Sequence, residues 1–135
     1  MYTFKKAERL HGTKLIDTLF EEGYSFYIAP FRVVWLDQDH DSGFPAQVLI
    51  SVSKKTIRLA VDRNRIKRII KEAYRIHKAK FYDFLNSHNK QCIFAIIFSG
   101  TAPVPYDFTE KKMVALLDRL IEEYKKHIFH NEKPE

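Results

Sequence analysis

The chain has 135 residues, enough for one domain around one core and too few for a stable second. Lys and Arg number 23 against 17 Asp and Glu, a net charge of +6 that admits a nucleic-acid or anionic-membrane partner without choosing between them. The single cysteine, Cys92, excludes an internal disulfide framework and fits a reducing compartment, and the longest apolar run, 92–98, is far short of a membrane span.

The first ten residues, MYTFKKAERL, lack the apolar stretch of a signal peptide, so a cytoplasmic location is expected. No repeat or low-complexity linker divides the chain, and residues 1–135 read as one domain with an ordered core over about 7–128. Thr13 is placed to cap a short helix whose apolar face is Leu15, Ile16, Leu19 and Phe20, with Gly23 to stop it. YSFYIAPFRVVWL (24–36) is β-branched and aromatic; it is one strand or, if Pro30 breaks it, two, 24–29 and 31–36. AQVLISVS (46–53) reads as the next strand, antiparallel to the first across DQDHDSGFP. A helix then starts near Asp62 or Arg63. Ile66, Ile69, Ile70, Ala73 and Ile76 give its apolar period, and Phe81 and Phe84 extend the face to about Leu85. CIFAIIF (92–98) has the continuous apolar character of a strand buried on both faces. After the loop SGTAPVP, a final helix from Asp107 carries Val114, Leu117, Leu120, Ile121, Tyr124 and Ile128 along one side, and the tail NEKPE is expected to fray. The order describes an α/β (α+β) sandwich, helices packed on a small sheet.

At about 100° per residue, the isoleucine face of the 63–78 helix is opposed by Asn64, Lys67, Arg68, Lys71, Arg75 and Lys78. One face is core and the other almost purely cationic. The last helix differs: Asp107, Glu110, Asp118, Glu122 and Glu123 balance Lys111, Lys112, Arg119, Lys125 and Lys126, the mixed signs of a solvated surface. Like charges at i, i+4 (Lys67 with Lys71, Lys71 with Arg75) cost an isolated helix about 0.2–0.5 kcal/mol per pair. A helix that keeps them points to an anion that they meet, and a phosphate backbone fits. A membrane fits poorly, because the apolar face lacks a Trp anchor and is needed for the core.

SVSKK (51–55) followed by AVDRNRIKRIIKEAYR (60–75) resembles the signature of the protein subunit of bacterial ribonuclease P, in which a basic RNR helix follows a strand ending in S-x-S-K-K. Arg63, Asn64, Arg65, Lys67, Arg68 and Lys71 match the motif, as does the ending Glu72, Ala73, Tyr74, Arg75. Arg9, Leu10, Phe20, Gly23, the strand from Phe31 and the apolar strand 92–98 stand where that family would have them, so the resemblance spans roughly 9–125. It implies an α-β-β-β-α-β-α fold, similar to the second domain of a small-subunit ribosomal protein, with the RNR helix in a left-handed crossover between parallel strands. It also implies a function, removal of the 5′ leader from precursor tRNA by a holoenzyme whose RNA subunit carries the Mg2+-dependent chemistry. The protein alone would then hold no cofactor and no catalytic residue.

Two surfaces follow from the resemblance. Lys54, Lys55, Arg63, Asn64, Arg65, Lys67, Arg68, Lys71 and Arg75 would face the catalytic RNA, with Asn64 as a helix cap on the competing reading. Ile16, Phe20, Phe31, Arg32, Val34 and Ser51 would line a cleft for the single-stranded leader, where aromatic platforms beside positive charge are the usual device. The chain departs from the family there, since an aromatic is common where Ile16 stands and Val34 occupies a position that can be aromatic, which implies weaker stacking on the leader or stacking supplied by Phe31 or Trp35. Strand alternation favours the Arg32 face for the cleft. TIRL (56–59) is a second departure, standing where relatives often have a glycine.

Other features read as structural. Asp37, Asp39, Asp41 and Gly43 imitate a calcium loop, but Ser42 and Val48 stand where its Gly and bidentate Glu are required. His127 and His130 on a fraying end make a poor metal site, and Cys92 is expected as a packed thiol. No dense His, Asp and Glu cluster suits a self-sufficient nuclease, the rival from another class. The runner-up is a structural module for folded RNA with no part in cleavage.

Overall fold

The computed structural model describes residues 3–132, with side chains over 3–129. Its elements in chain order are a 3-10 turn at Lys6–Glu8, α1 (Thr13–Glu22), β1 (Tyr24–Ile28), β2 (Phe31–Asp37), β3 (Ala46–Val52), α2 (Ala60–His77), α3 (Ala79–Ser87), β4 (Cys92–Phe98) and α4 (Tyr106–Glu132). The expected fraying of the tail concerns, for Lys133 to Glu135, residues outside those described.

The strands form one sheet in the order β1-β2-β4-β3. Pro30 does split the aromatic run, and Ala29 and Pro30 turn β1 antiparallel onto β2 with Ile28 opposite Phe31. The expected antiparallel pairing of 46–53 with the preceding strand does not occur. β4 inserts between them, antiparallel to β2 and parallel to β3, so α2 and α3 form the crossover of a parallel pair. The reason lies in burial. β4 is apolar on both faces and takes the centre, while β3 has only one fully apolar face and takes the edge.

Helices cover the two faces unequally. On one side Val33, Trp35, Val48, Phe94, Ile96 and Phe98 pack against Ile66, Ile70, Tyr74, Phe81, Leu117 and Tyr124 from α2, α3 and α4. On the other, α1 and the segment before it supply the cover: Leu19 packs with Leu10, Val34, Ile93 and Ala95, flanked by Leu15 and Ile16. Burying one such aliphatic or aromatic side chain stabilises by about 1.5–3 kcal/mol. Gly23 ends α1, as expected, but for reasons of space. Its φ is −72°, and a Cβ there would lie 2.4 Å from the Leu19 carbonyl oxygen and 2.9 Å from Val34 Cγ1. Thr13 is not the cap; it is the first helical residue, preceded by Gly12 at φ 94°.

The long helix expected from 63 to about 85 is interrupted at Lys78. Helical period assigns this residue to the cationic face, yet it is 7% exposed and turns inward. Its ammonium donates to a Glu8 carboxylate oxygen and to the Thr3 carbonyl, while the Tyr82 hydroxyl donates to the same Glu8 oxygen at 2.6 Å. The other Glu8 oxygen accepts the Lys5 backbone N–H at 2.6 Å. This buried, fully hydrogen-bonded pair ties the N-terminal segment to the α2–α3 corner. Removing one member of a buried pair typically costs about 3–5 kcal/mol, because a charge is left without its partner. Lys78→Met should therefore lower the free energy of unfolding in urea by that order, and Lys78→Met with Glu8→Gln should recover a large part of the loss.

Candidate nucleic-acid interface

The N-terminal half of α2 presents Asn64, Arg65 and Arg68 to solvent, with Lys67 and Lys71 half-buried on the flank toward the N-terminal segment. Among the described residues none of these four cations has a salt-bridge partner, in contrast to Arg119 and Lys80 elsewhere, which pair with Glu123 and Asp118. Asn64 is no cap. Leu59 holds the N-cap position, so Asn64 sits more than a turn into the helix with its amide exposed. Lys54 and Lys55 are exposed in the turn after β3, as the motif implies.

Two of the expected RNA-binding arginines are engaged within the protein. Arg63 Nη1 donates to the carbonyls of Ile57 and Arg58 at 2.9 and 2.8 Å, pinning the TIRL loop through which β3 passes to α2. Ile57 anchors that loop in the core, whereas Leu59 and Val61 are exposed beside the cations. Arg75 grips Glu72 with its guanidinium, from Nε at 2.8 Å and also from Nη2. Among the described residues, the cations of α2 and of the turn after β3 without an ion-pair partner are thus, apart from Arg63, Lys54, Lys55, Arg65, Lys67, Arg68 and Lys71.

The N-terminal segment adds cations that the motif did not indicate. Arg9 bridges to Val48 and the Leu10 N–H donates to the Val48 carbonyl at 2.9 Å, which covers part of the β3 edge. Beyond it a groove of about 380 Å³ runs between this segment and α2, floored by Leu10, Leu49 and Ile50 and rimmed by Lys6, Arg9, Lys67 and Lys71. Desolvation, then the Arg9 and Lys67 charges, holds the Lys71 ammonium below the ordinary lysine value. With its folded pKa depressed, protonated Lys71 opposes folding; the cost is full below the folded value and is removed as pH rises from there to the ordinary lysine value. An anion in the groove offsets the same cost at neutral pH.

The opposite flank of the site lies on the α1 face of the sheet. Register places Tyr27, Arg32, Ile97 and Ser51 in one row across all four strands. The next rows, with Val34, Ala95 and Leu49, then Leu36, Ile93 and Gln47, contain the residues that pack with α1 or the segment before it. Leu15 lines a cavity with Asp39, His40 and Gln91 at the far end of the sheet. At 3.6 residues per turn, Ile16 and Phe20 then fall on the other flank of α1, toward the open row. Phe20 is 45% exposed, which removes it from the core. Arg32 is exposed and Ser51 half-buried.

Two predicted cleft residues are not available to a base. Phe31 is 1% exposed on the other face of the sheet, its ring 5.6 Å from that of Phe98, and Val34 is 3% exposed beneath α1. Trp35, the other candidate replacement, is equally buried, stacked between Tyr24 and Tyr124.

The remaining titratable clusters serve structure. Asp37 accepts the Tyr124 hydroxyl at 2.7 Å, and Gln91 exchanges hydrogen bonds with the His40 backbone, fixing the acidic turn. Burial pushes the Cys92 thiol far up, so it is no nucleophile. His130 lies outside the described side chains. Among the described residues no group of three or more His, Cys, Asp or Glu is placed to hold a metal, and no helix is long and apolar enough to cross a membrane.

A one-sided basic helix beside an open row of an aromatic-edged sheet makes this an RNA-binding α+β domain. The chain belongs to the ribonuclease P protein family: the Ribonuclease P family model matches residues 4–121. The ribonuclease P protein component of Porphyromonas gingivalis is 34% identical over 120 residues, covering 88% of this chain and 87% of that protein. That of Legionella pneumophila is 37% identical over 75 residues, 56% of this chain and 63% of its own length. Among solved structures, the RNase P protein of Staphylococcus aureus superposes with a TM-score of 0.66 at 23% identity, covering 85% of this chain and 96% of that one. The Thermotoga maritima protein gives 0.63 at 24% identity, covering 83% and 96%. These two carry the fold. As a family member the chain is an RNA-binding subunit of the ribonuclease P endoribonuclease, acting in tRNA processing with a ribonuclease P RNA as partner.

Removing one cation that neutralises a phosphate should flatten the slope of log K against log salt by about 0.7–0.9. Arg65→Ala and Arg68→Ala should do so for binding to the ribonuclease P RNA while leaving the unfolding midpoint unchanged. Lys71→Gln should weaken RNA binding as well, yet leave the free protein as stable as wild type or slightly more so. Loss of stability in Lys71→Gln would contradict the electrostatic account of the groove.

Proposed function

We propose that this protein holds the ribonuclease P RNA with its basic helix and the 5′ leader of precursor tRNA along the open row of the sheet. Lys54, Lys55, Asn64, Arg65, Lys67, Arg68 and Lys71 take the catalytic RNA; Ile16, Phe20, Arg32 and Ser51 take the leader. Arg63 and Arg75 act mainly by fixing the backbone and the helix face that the others use. The observation that carries the reading is the uncovered row, edged by exposed Phe20 and opening beside the β3 end that leads to Lys54 and Lys55. A single strand needs a stacking surface beside positive charge, and both are present.

In this reading the protein contributes binding and placement. Mg2+ held with the RNA subunit supplies the chemistry of cleavage, and the protein keeps the leader engaged so that the scissile bond stays at that site. The work is cytoplasmic, where precursor tRNA is made and matured in bacteria.

Reconstitution tests this directly. The chain, the cognate ribonuclease P RNA and a precursor tRNA, mixed at low magnesium, should yield mature 5′ ends faster than the RNA alone. A structural RNA binder would leave the rate unchanged, and a free-standing nuclease would cut without the RNA subunit. Phe20→Ala should weaken binding of precursor tRNA to the holoenzyme by about 1–3 kcal/mol and leave mature tRNA binding and the unfolding midpoint unaltered. Equal loss for both tRNAs would remove Phe20 from the leader site.

A further inference from the structure

Tyr27 stands at the β1 end of the open row, directly across from Arg32, and is 58% exposed. Its neighbour Phe26 points to the other face, where the Arg119 guanidinium covers it, so alternation puts Tyr27 on the α1 side. Exposed tyrosines usually move freely; this one is held at its tip. Its hydroxyl lies 3.2 Å from Ser99 Oγ, and Ser99 in turn donates to the Pro30 carbonyl at 2.9 Å. The ring is therefore oriented in advance, with little rotamer freedom left to lose on binding. Arg32 is exposed and has no salt-bridge partner among the described residues. Directly opposed side chains in an antiparallel pair have Cβ atoms about 4.5–5.5 Å apart, so the guanidinium and the ring present themselves together.

We propose that Tyr27 is a nucleobase-stacking platform for the leader, with Arg32 taking the adjoining phosphate. This rests on the leader reading and extends it to a residue outside the family motif. It also explains how the site manages without aromatics at Ile16 and Val34. Among the described aromatic side chains, Phe20 and Tyr27 are the exposed ones on the α1 side; Tyr24 stacks on Trp35 on the opposite face, and Phe108 and Phe129 belong to α4. The row spans three inter-strand spacings, about 14 Å. Ser51, near Lys54 and Lys55, lies at one end and Tyr27 at the other. A leader that enters at the Lys54 and Lys55 end, where this reading places the catalytic RNA, reaches Tyr27 only with its upstream nucleotides.

The test uses the reconstituted holoenzyme with three ligands: mature tRNA, a precursor with a single leader nucleotide, and one with a long leader. Tyr27→Ala should weaken the long-leader precursor roughly 5- to 150-fold, the equivalent of one base stack, and leave the other two unchanged. Tyr27→Phe, which keeps the ring, should bind nearly as wild type. A fluorescent adenine analogue at upstream leader positions should be quenched on binding to wild type and Tyr27→Phe, and not on binding to Tyr27→Ala. If wild type binds the long-leader precursor no better than mature tRNA, the leader reading fails and this inference with it. If wild type discriminates and Phe20→Ala reduces the discrimination while Tyr27→Ala does not, the platform assignment alone is overturned. A Tyr27→Ala loss that is equal for all three ligands also overturns it.

Discussion

The structure depends on β4, a strand apolar on both faces, which must be covered on both. Three helices and most of the aromatic side chains close one face. The other has α1, whose ten residues make a rod about 15 Å long and about 10 Å wide, and the segment before it, which adds Leu10. Same-face rows of a sheet are separated by about 6.6 Å along the strands, and α1 with the segment before it packs on two of them, the rows of Val34, Ala95 and Leu49 and of Leu36, Ile93 and Gln47. The third row lies largely outside that cover, with its Ile97 half-buried against the same cluster, and what stands on it decides whether it is a liability or a site. Here it carries Tyr27, Arg32 and Ser51 around a half-buried Ile97, a mixed polar and aromatic strip suited to a wet ligand.

The second constraint is the Glu8–Lys78 pair. It consumes one acid and one base in the interior and, by doing so, fastens the N-terminal segment where Lys6 and Arg9 rim the groove opposite Lys67 and Lys71. A buried ion pair is weak support for net stability, because desolvation cancels much of the attraction. Its clearer effect is on geometry, since Glu8 is satisfied only when the segment docks in this one arrangement. Helical periodicity places Lys78 with the other cations because period alone has no knowledge of an acid seventy residues upstream.

The same distinction explains what was legible. The first and last helices, the start of α2, the doubly buried strand and the cationic face of α2 are local patterns readable from spacing and residue type; the division at Pro30 is one of two readings, and the break at Lys78 is not legible. Strand order is not. Placing β4 between β2 and β3 is a competition among strands for the centre, settled by the apolar character of β4 on both faces. Within the site, the motif residues are found by their order in the chain, but Arg63 and Arg75 show that a matching residue can spend its donors internally. The resemblance assigns Phe31 and Val34 to the cleft, and the structure withholds them for two separate reasons, the first of which strand alternation already indicates. Phe31 falls on the wrong side of the sheet, and Val34 is on the right side but under α1. The placement of Lys6, Arg9 and Tyr27 beside these surfaces is not read from spacing, because it comes from cross-strand register and docking of the N-terminal segment. The only trace in the sequence is the basic clustering of KKAER.

Charge is arranged along the strands as well as across the helix. β3 enters the sheet at Pro45, beside Cys92 and the acidic turn of Asp37, Asp39 and Asp41, and leaves it at Ser53, beside Lys54 and Lys55. A seven-residue strand separates these ends by about 23 Å, more than two Debye lengths at physiological salt. The acids therefore neither neutralise the cations nor repel a phosphate held among them. They do disfavour a polyanion that approaches the other end of the sheet, which orients the encounter before the two surfaces meet. The cost falls on the free protein, which keeps Arg9, Lys67 and Lys71 together without an acid between them. A polyanion bound at these cations would offset that repulsion, and its affinity and the stability of the fold would then be linked through the same side chains.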